Sequence, residues 1–105
     1  MNLPETINIL GNIYTIIPCK TMLEVDPVNR SLMFGNIDLH SRVIRVFVGN
    51  ETEFGKRTDF DTYQTLLHEI LHGITVELHF QMDDDTTDTL ATVILDTFIR
   101  NDLLK

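Results

Sequence analysis

The sequence predicts an α+β fold, a small twisted β-sheet packed against two helices, on three observations. β-Branched residues at strand-like spacing crowd the first half, from Ile7 to Val48. Apolar residues at helical spacing fill the second half, from Tyr63 onward. A stretch from Gly49 to Lys56 with two glycines and two glutamates separates them and reads as a loop. Strands followed by helices, rather than alternating with them, point to α+β.

Ile7, Ile9, Ile13, Ile16 and Ile17 favour extended backbone, and Gly11-Asn12 interrupts them. A bent strand or a hairpin turning at Gly11-Asn12 both fit. Pro18 should end this region, and Leu23 to Arg30, with Asp26-Pro27, reads as a turn or loop. Two further strands, Leu32 to Asp38 and Arg42 to Val48, flank a short Leu39-His40-Ser41 connection. Thr58 or Asp59 can cap a helix carrying Tyr63, Leu66, Leu67, Ile70, Leu71 and Ile74 on its apolar stripe. Gly73 costs this helix roughly 1 kcal/mol against Ala but permits close backbone packing. After a polar break at Met82 to Asp85, a last helix is expected from about Asp85 to Leu103. Leu90, Ala91, Ile94, Leu95 and Phe98 should lie on its buried side. Acidic residues at its start suit the helix dipole.

The 105 residues suggest a single domain spanning 1–105, and 43% hydrophobic content suffices for one core. Eight basic residues against 16 acidic ones give a net charge of -8. That balance disfavours binding to nucleic acid phosphates or to anionic membranes. The lone Cys19 excludes an internal disulfide, and neither a basic-then-apolar leader nor a membrane-length apolar run is visible. The expectation is a soluble cytoplasmic protein.

Residues 68–72 read His68-Glu69-Ile70-Leu71-His72, an H-E-x-x-H pattern. Two histidines four apart on a helix lie one turn apart on one face, where both rings can bind one metal ion. Glu69, beside them, can take a proton from a water that the metal activates. The pattern also arises by accident in a chain of this composition on the order of one time in a hundred. The bland alternative is therefore a helix with two surface histidines. The setting favours chemistry: the pattern falls in the best helix candidate, and Leu67, Ile70, Leu71, Gly73 and Ile74 around it are uncharged. This is the pattern of zinc peptidases, with Zn2+ as cofactor and a peptide or protein as substrate.

A catalytic zinc needs three protein ligands. Glu77 lies about 140° around the helix from His72 and points away. His79 is one residue too far for the His-based arrangement in which a third His follows a glycine turn. The cluster Asp83, Asp84, Asp85 and Asp88 is better placed. Asp84 and Asp88 share a helix face, so one can bind zinc while the other accepts the free N–H of a ligating imidazole. The ordinary role of such a cluster is helix capping, which is compatible with ligation by other members.

These residues resemble the gluzincin zinc peptidases, and more narrowly the small ImmA/IrrE-type peptidases of phages and mobile elements and the short minigluzincins. The resemblance spans residues 32–100. It rests on His68-Glu69-Ile70-Leu71-His72, then Asp84, Thr87-Asp88 and Leu90-Ala91 in register, with Gly35-Asn36-Ile37-Asp38 ahead of the strand from Val43. It implies zinc on His68, His72 and Asp84, Glu69 as general base, and Asp88 as the acidic residue one turn after the ligand. The family's ligand Glu is replaced by Asp84, shorter by one methylene, and Asp85 is an alternative after a small shift of the helix start. It also implies a specific protein substrate. Independently of the resemblance, an exposed strand beside the motif helix could bind an extended peptide by strand addition, and Val43 to Val48 is the candidate. Tyr63, His40 and His79 are candidate donors to the oxyanion. The rival reading is a non-catalytic zinc-containing binding or regulatory module with a vestigial peptidase site.

Overall fold

A computed structural model describes residues 3–29, 32–50 and 55–103. The chain runs through strands β1 (Thr6–Ile9) and β2 (Asn12–Cys19) and a one-turn helix α1 (Met22–Val25). Strands β3 (Gly35–Asp38) and β4 (Val43–Phe47) follow. The two-residue strands β5 (Gly49–Asn50) and β6 (Gly55–Lys56) lead into helices α2 (Asp59–Glu77) and α3 (Asp84–Arg100). The α+β expectation holds at this level: a four-stranded mixed sheet and two long helices.

The first two strands form a hairpin, with Asn8 paired to Ile13 and Ile9 to Asn12. Its turn is centred one residue earlier than expected, on Leu10-Gly11, both at positive φ (51° and 92°). A two-residue hairpin turn of that hand matches strand twist, which is why glycine is useful there. Asn8 Oδ1 accepts from Gly11 N at 2.7 Å and helps hold the turn. Pro18 does not end β2, which continues to Cys19. The register with β1 stops at Thr15, so Pro18 lies where β2 pairs only with β4, and its missing N–H is tolerated at a half-open edge.

The sheet order is β1-β2-β4-β3, with β2 and β4 parallel and the outer pairs antiparallel. β4 is therefore a central strand, hydrogen-bonded on both sides. The expectation that Val43 to Val48 offers a free edge is overturned, because edge character depends on strand order and not on composition. On the side of β4, the edge strand is β3.

Side chains alternate across β4 and give the sheet two apolar faces. Ile44 and Val46 join Ile9, Tyr14, Ile16 and Leu66 in the larger core beneath α2. Phe47 turns the other way, into a smaller cluster with Cys19, Met22 and Val25. That second cluster explains α1, which falls where a loop was expected: burying Met22 and Val25 favours a turn of helix, and Thr21 Oγ1 caps it by accepting from Glu24 N at 3.3 Å. The stretch from Gly49 to Lys56, also expected as a loop, carries the β5–β6 pair, while residues 51–54 of it lie outside the described set, as does Arg30.

Thr58 caps α2 and Asp83 caps α3, each side chain accepting from the backbone N–H three residues on. A Cβ at Gly73 would lie 2.9 Å from Ile9 Cδ1 and 3.2 Å from Ile37 Cδ1, so the glycine lets α2 lie close on β1 and β3. Asn12 Nδ2 donates to Glu77 Oε1 at 2.9 Å and ties the hairpin to the end of α2. α3 packs on α2 rather than forming a second helix layer on the sheet, with Thr87, Ala91 and Leu95 buried in that contact. Leu90 and Phe98, expected inside, are exposed. One helix neighbour buries a narrower stripe than a sheet would.

Candidate metal centre

The two histidines emerge from consecutive turns of α2 and meet at their tips, with 2.9 Å between His68 Nε2 and His72 Nε2. Asp84, in the first turn of α3, places Oδ1 at 3.0 Å from His72 Nε2 and 3.7 Å from His68 Nε2. The ligand atoms of these three residues all lie within 4.8 Å of one another. Four-coordinate zinc with bonds near 2.0–2.1 Å sets its ligands about 3.3 Å apart. The three observed separations bracket that value, so the donor set fits such an ion in size and in chemistry.

His68 Nδ1 lies 3.2 Å from Asp88 Oδ1. With the proton on Nδ1 donated to that carboxylate, His68 Nε2 is left as a lone pair. That lone pair faces His72 Nε2, and in the tautomer that leaves His72 Nε2 unprotonated as well, both nitrogens and the Asp84 carboxylate are open to one cation. Asp88 is fixed in turn by Gln64, whose Nε2 donates to the same oxygen at 2.7 Å. The Gln64 hydrogen bond is the main cause that holds the Asp88 carboxyl below its usual range. Burial opposes it, and the His68 ring adds to it.

Glu69 occupies the inner side of the helix, only 7% exposed. Its space is made by β3: a Cβ on Gly35 would come 3.0 Å from Glu69 Oε2 and 2.6 Å from Thr65 Cγ2. Burial pushes its carboxyl up to about 7, against the pull of His68 and with a smaller push from Asp84. A carboxyl poised near neutral pH beside two imidazoles suits a group that takes and returns a proton.

A cleft of about 330 Å3 opens beside Glu69 and His68 and is lined also by Phe34, Gly35, Gln64 and Asp88. Arg57 and Thr65 complete the lining, which does not include His72 or Asp84. Sequence reading missed Arg57 and Gln64, and singled out Gly35 without a role at the site. Gln64 had a readable signal, one turn before His68 on the same helix face. Arg57 had none, and Gly35 stood out only within Gly35-Asn36-Ile37-Asp38, because the roles of both arise from contacts between distant elements.

The other expected candidates fall elsewhere. His79 follows the end of α2 at φ 53° and is exposed, and Asp85 lines a different hollow on α3. Tyr63 packs on the core, and His40 sits exposed in the β3–β4 turn, where Asp38 Oδ1 accepts its N–H at 3.0 Å. Neither of these, nor His79, lines the cleft.

No family model, curated protein or solved structure matches the chain significantly. No helix among the described residues is long and apolar enough to cross a membrane.

Proposed function

We propose that this chain is a zinc-dependent peptidase of gluzincin type acting on a specific protein. The observation that carries the reading is the junction of two features: His68, His72 and Asp84 converging within 4.8 Å, and the buried Glu69 directly beside them. A structural zinc site uses four protein ligands and needs no general base. Here three groups converge among the described residues and a proton-transfer carboxyl adjoins them.

Zinc held by His68, His72 and Asp84 would supply Lewis-acid activation of water and of the scissile carbonyl. Glu69 takes the proton of the attacking water and returns it to the leaving amide nitrogen. Its position under Gly35 keeps its carboxylate on one bearing. Asp88 holds the His68 ring through Nδ1 and Gln64 holds Asp88, so α3 steers a ring carried by α2. The cleft meets the sheet at Gly35, the first residue of the edge strand β3, which makes β3, rather than β4, the strand beside which an extended substrate would lie.

The deciding experiment pairs zinc analysis with cleavage. The parent should bind close to one zinc and cut a member of a panel of candidate proteins. Glu69→Gln should keep the zinc and lose roughly 10²-fold or more of the cleavage rate. Zinc bound by both forms with no product from either across the panel would favour the alternative, a non-catalytic binding or regulatory module. The replacement of the family's ligand Glu by Asp84 is the feature that gives that alternative weight.

A further inference from the structure

We infer that Arg57 makes the cleft a receptor for a substrate carboxylate next to the scissile bond, either an acidic side chain or a chain terminus. This rests on the peptidase reading and names its substrate class. Arg57 stands in the two-residue link between β6 and α2 and is anchored at both ends. Its backbone N–H donates to Val48 O at 3.1 Å. Its Nη1 donates to Phe47 O at 3.1 Å and to Thr65 Oγ1 at 3.0 Å, and its Cζ lies 4.5 Å over the Phe34 ring. The guanidinium is thus held in one plane before any ligand arrives, so little further ordering is needed on binding.

Thr65 is one helical turn before Glu69 on the same face of α2. The guanidinium therefore stands roughly 5 Å along the helix from the general base. An extended peptide advances about 3.3 Å per residue, so this offset corresponds to one or two residues from the bond to be cut. The two Nη1 bonds use two of the five guanidinium donors, and the Nε–Nη2 edge is the pair that matches a carboxylate. The other charged groups of the cleft, Glu69 and Asp88, are acidic, and so is the chain as a whole. Among the residues lining the cleft, Arg57 supplies the fixed positive charge of a side chain. Burial lowers the Arg57 pKa and the charge of Asp61 partly opposes that, and a bound carboxylate would add to the Asp61 effect.

The plain alternative is that Arg57 is only a strut joining Phe47, Thr65 and Phe34. Binding, rather than turnover, separates the two. Full-length protein carrying Glu69→Gln would be immobilised, with and without zinc, and offered three randomised peptide pools. One is neutral with amidated ends, one carries a single Asp or Glu with amidated ends, and one is neutral with free C-termini. At least one carboxylate-bearing pool should be retained about tenfold or more over the neutral amidated pool without zinc, the scale of a charged hydrogen bond. The pool that is retained distinguishes a side chain from a terminus. Adding Arg57→Gln should erase the preference, and Arg57→Lys should keep only part of it. Equal retention of the three pools, or a preference unchanged by Arg57→Gln, would overturn the inference. If circular dichroism shows that Arg57→Gln has lost the fold, Arg57→Lys decides: a several-fold drop in preference supports the inference, and no drop overturns it. Failure of the peptidase reading looks different, since the preference would then persist while the parent cut nothing.

Discussion

Asp88 Oδ1 lies 3.2 Å from His68 Nδ1, and the same oxygen lies 2.7 Å from Gln64 Nε2. One carboxylate on α3 thus bridges two side chains a turn apart on α2. Removing it frees the His68 ring to rotate without removing a ligand. Asp88→Ala is expected to weaken zinc about 10- to 100-fold. Gln64→Ala, which only loosens Asp88, should cost less. Competition against a chromophoric chelator measures both, and an Asp88→Ala affinity equal to the parent's would remove Asp88 from the site.

Loss of either histidine should be more severe. His68→Ala and His72→Ala are each expected to abolish stoichiometric zinc binding, because two remaining ligands hold the ion poorly. Asp84→Ala should be far more damaging than Asp85→Ala or His79→Ala, whose side chains lie outside the converging group. Asp84→Glu should retain the metal, since it keeps a carboxylate ligand at that position. Metal content by atomic emission after dialysis gives the ranking. A collapse in His79→Ala would point to a different ligand set.

The two packed glycines should respond differently to a methyl group. At Gly35 the new Cβ meets Thr65 Cγ2 at 2.6 Å, and Glu69 Oε2 and Cγ at 3.0 and 3.1 Å, so both the helix and the base must yield. Gly35→Ala is expected to cost about 1–3 kcal/mol, as overpacking does, and to lower cleavage as well. At Gly73 the nearest atom is the far end of Ile9, and helix propensity returns up to about 1 kcal/mol. Gly73→Ala should therefore be the milder change in a denaturant titration. The reverse order would mean that Glu69 is not confined by β3.

The Glu69 carboxyl sets a pH dependence in the metal-free chain. Its pKa is raised from 4.5 to about 7 in the fold, chiefly by burial. Below pH 4.5 both folded and unfolded forms carry the proton, and Glu69 costs nothing. As pH rises from 4.5 toward 7 the unfolded chain loses the proton first, so stability falls, and above 7 the loss is complete. The ceiling on that loss is about 3 kcal/mol. Metal-free Glu69→Gln should therefore be more stable than the parent at pH 7.5, and the gap should close near pH 4.5. Denaturant melts at several pH values test this, and a gap independent of pH would contradict it.

What could be read from the chain was local. The H-E-x-x-H spacing, the Thr58 cap and the shared face of Asp84 and Asp88 all follow from 3.6 residues per turn, which any window of sequence reveals. What could not be read depends on which elements become neighbours. Val43 to Val48 looked like any strand, and only the order β1-β2-β4-β3 makes it central and leaves β3 at the edge. Leu90 and Phe98 looked like core because periodicity marks an apolar stripe without saying how much of it a partner covers. Arg57 carries no pattern, and the segment that includes Gly35 gave no hint of what the glycine does: each matters through a side chain of α2 that meets it in space.

Two of the three converging groups belong to α2 and the third to α3, with the segment from Leu78 to Asp83 between the helices. An ion bound there would clip shut a loop of about a dozen residues, from His72 to Asp84. Closing so short a loop takes little chain entropy, because the helix contact through Ala91 and Leu95 already brings its ends together. Chelation should then act as an unlatching: amide exchange quickens in the first turns of α3 while the β4 amides stay protected, since the sheet never depended on the clip.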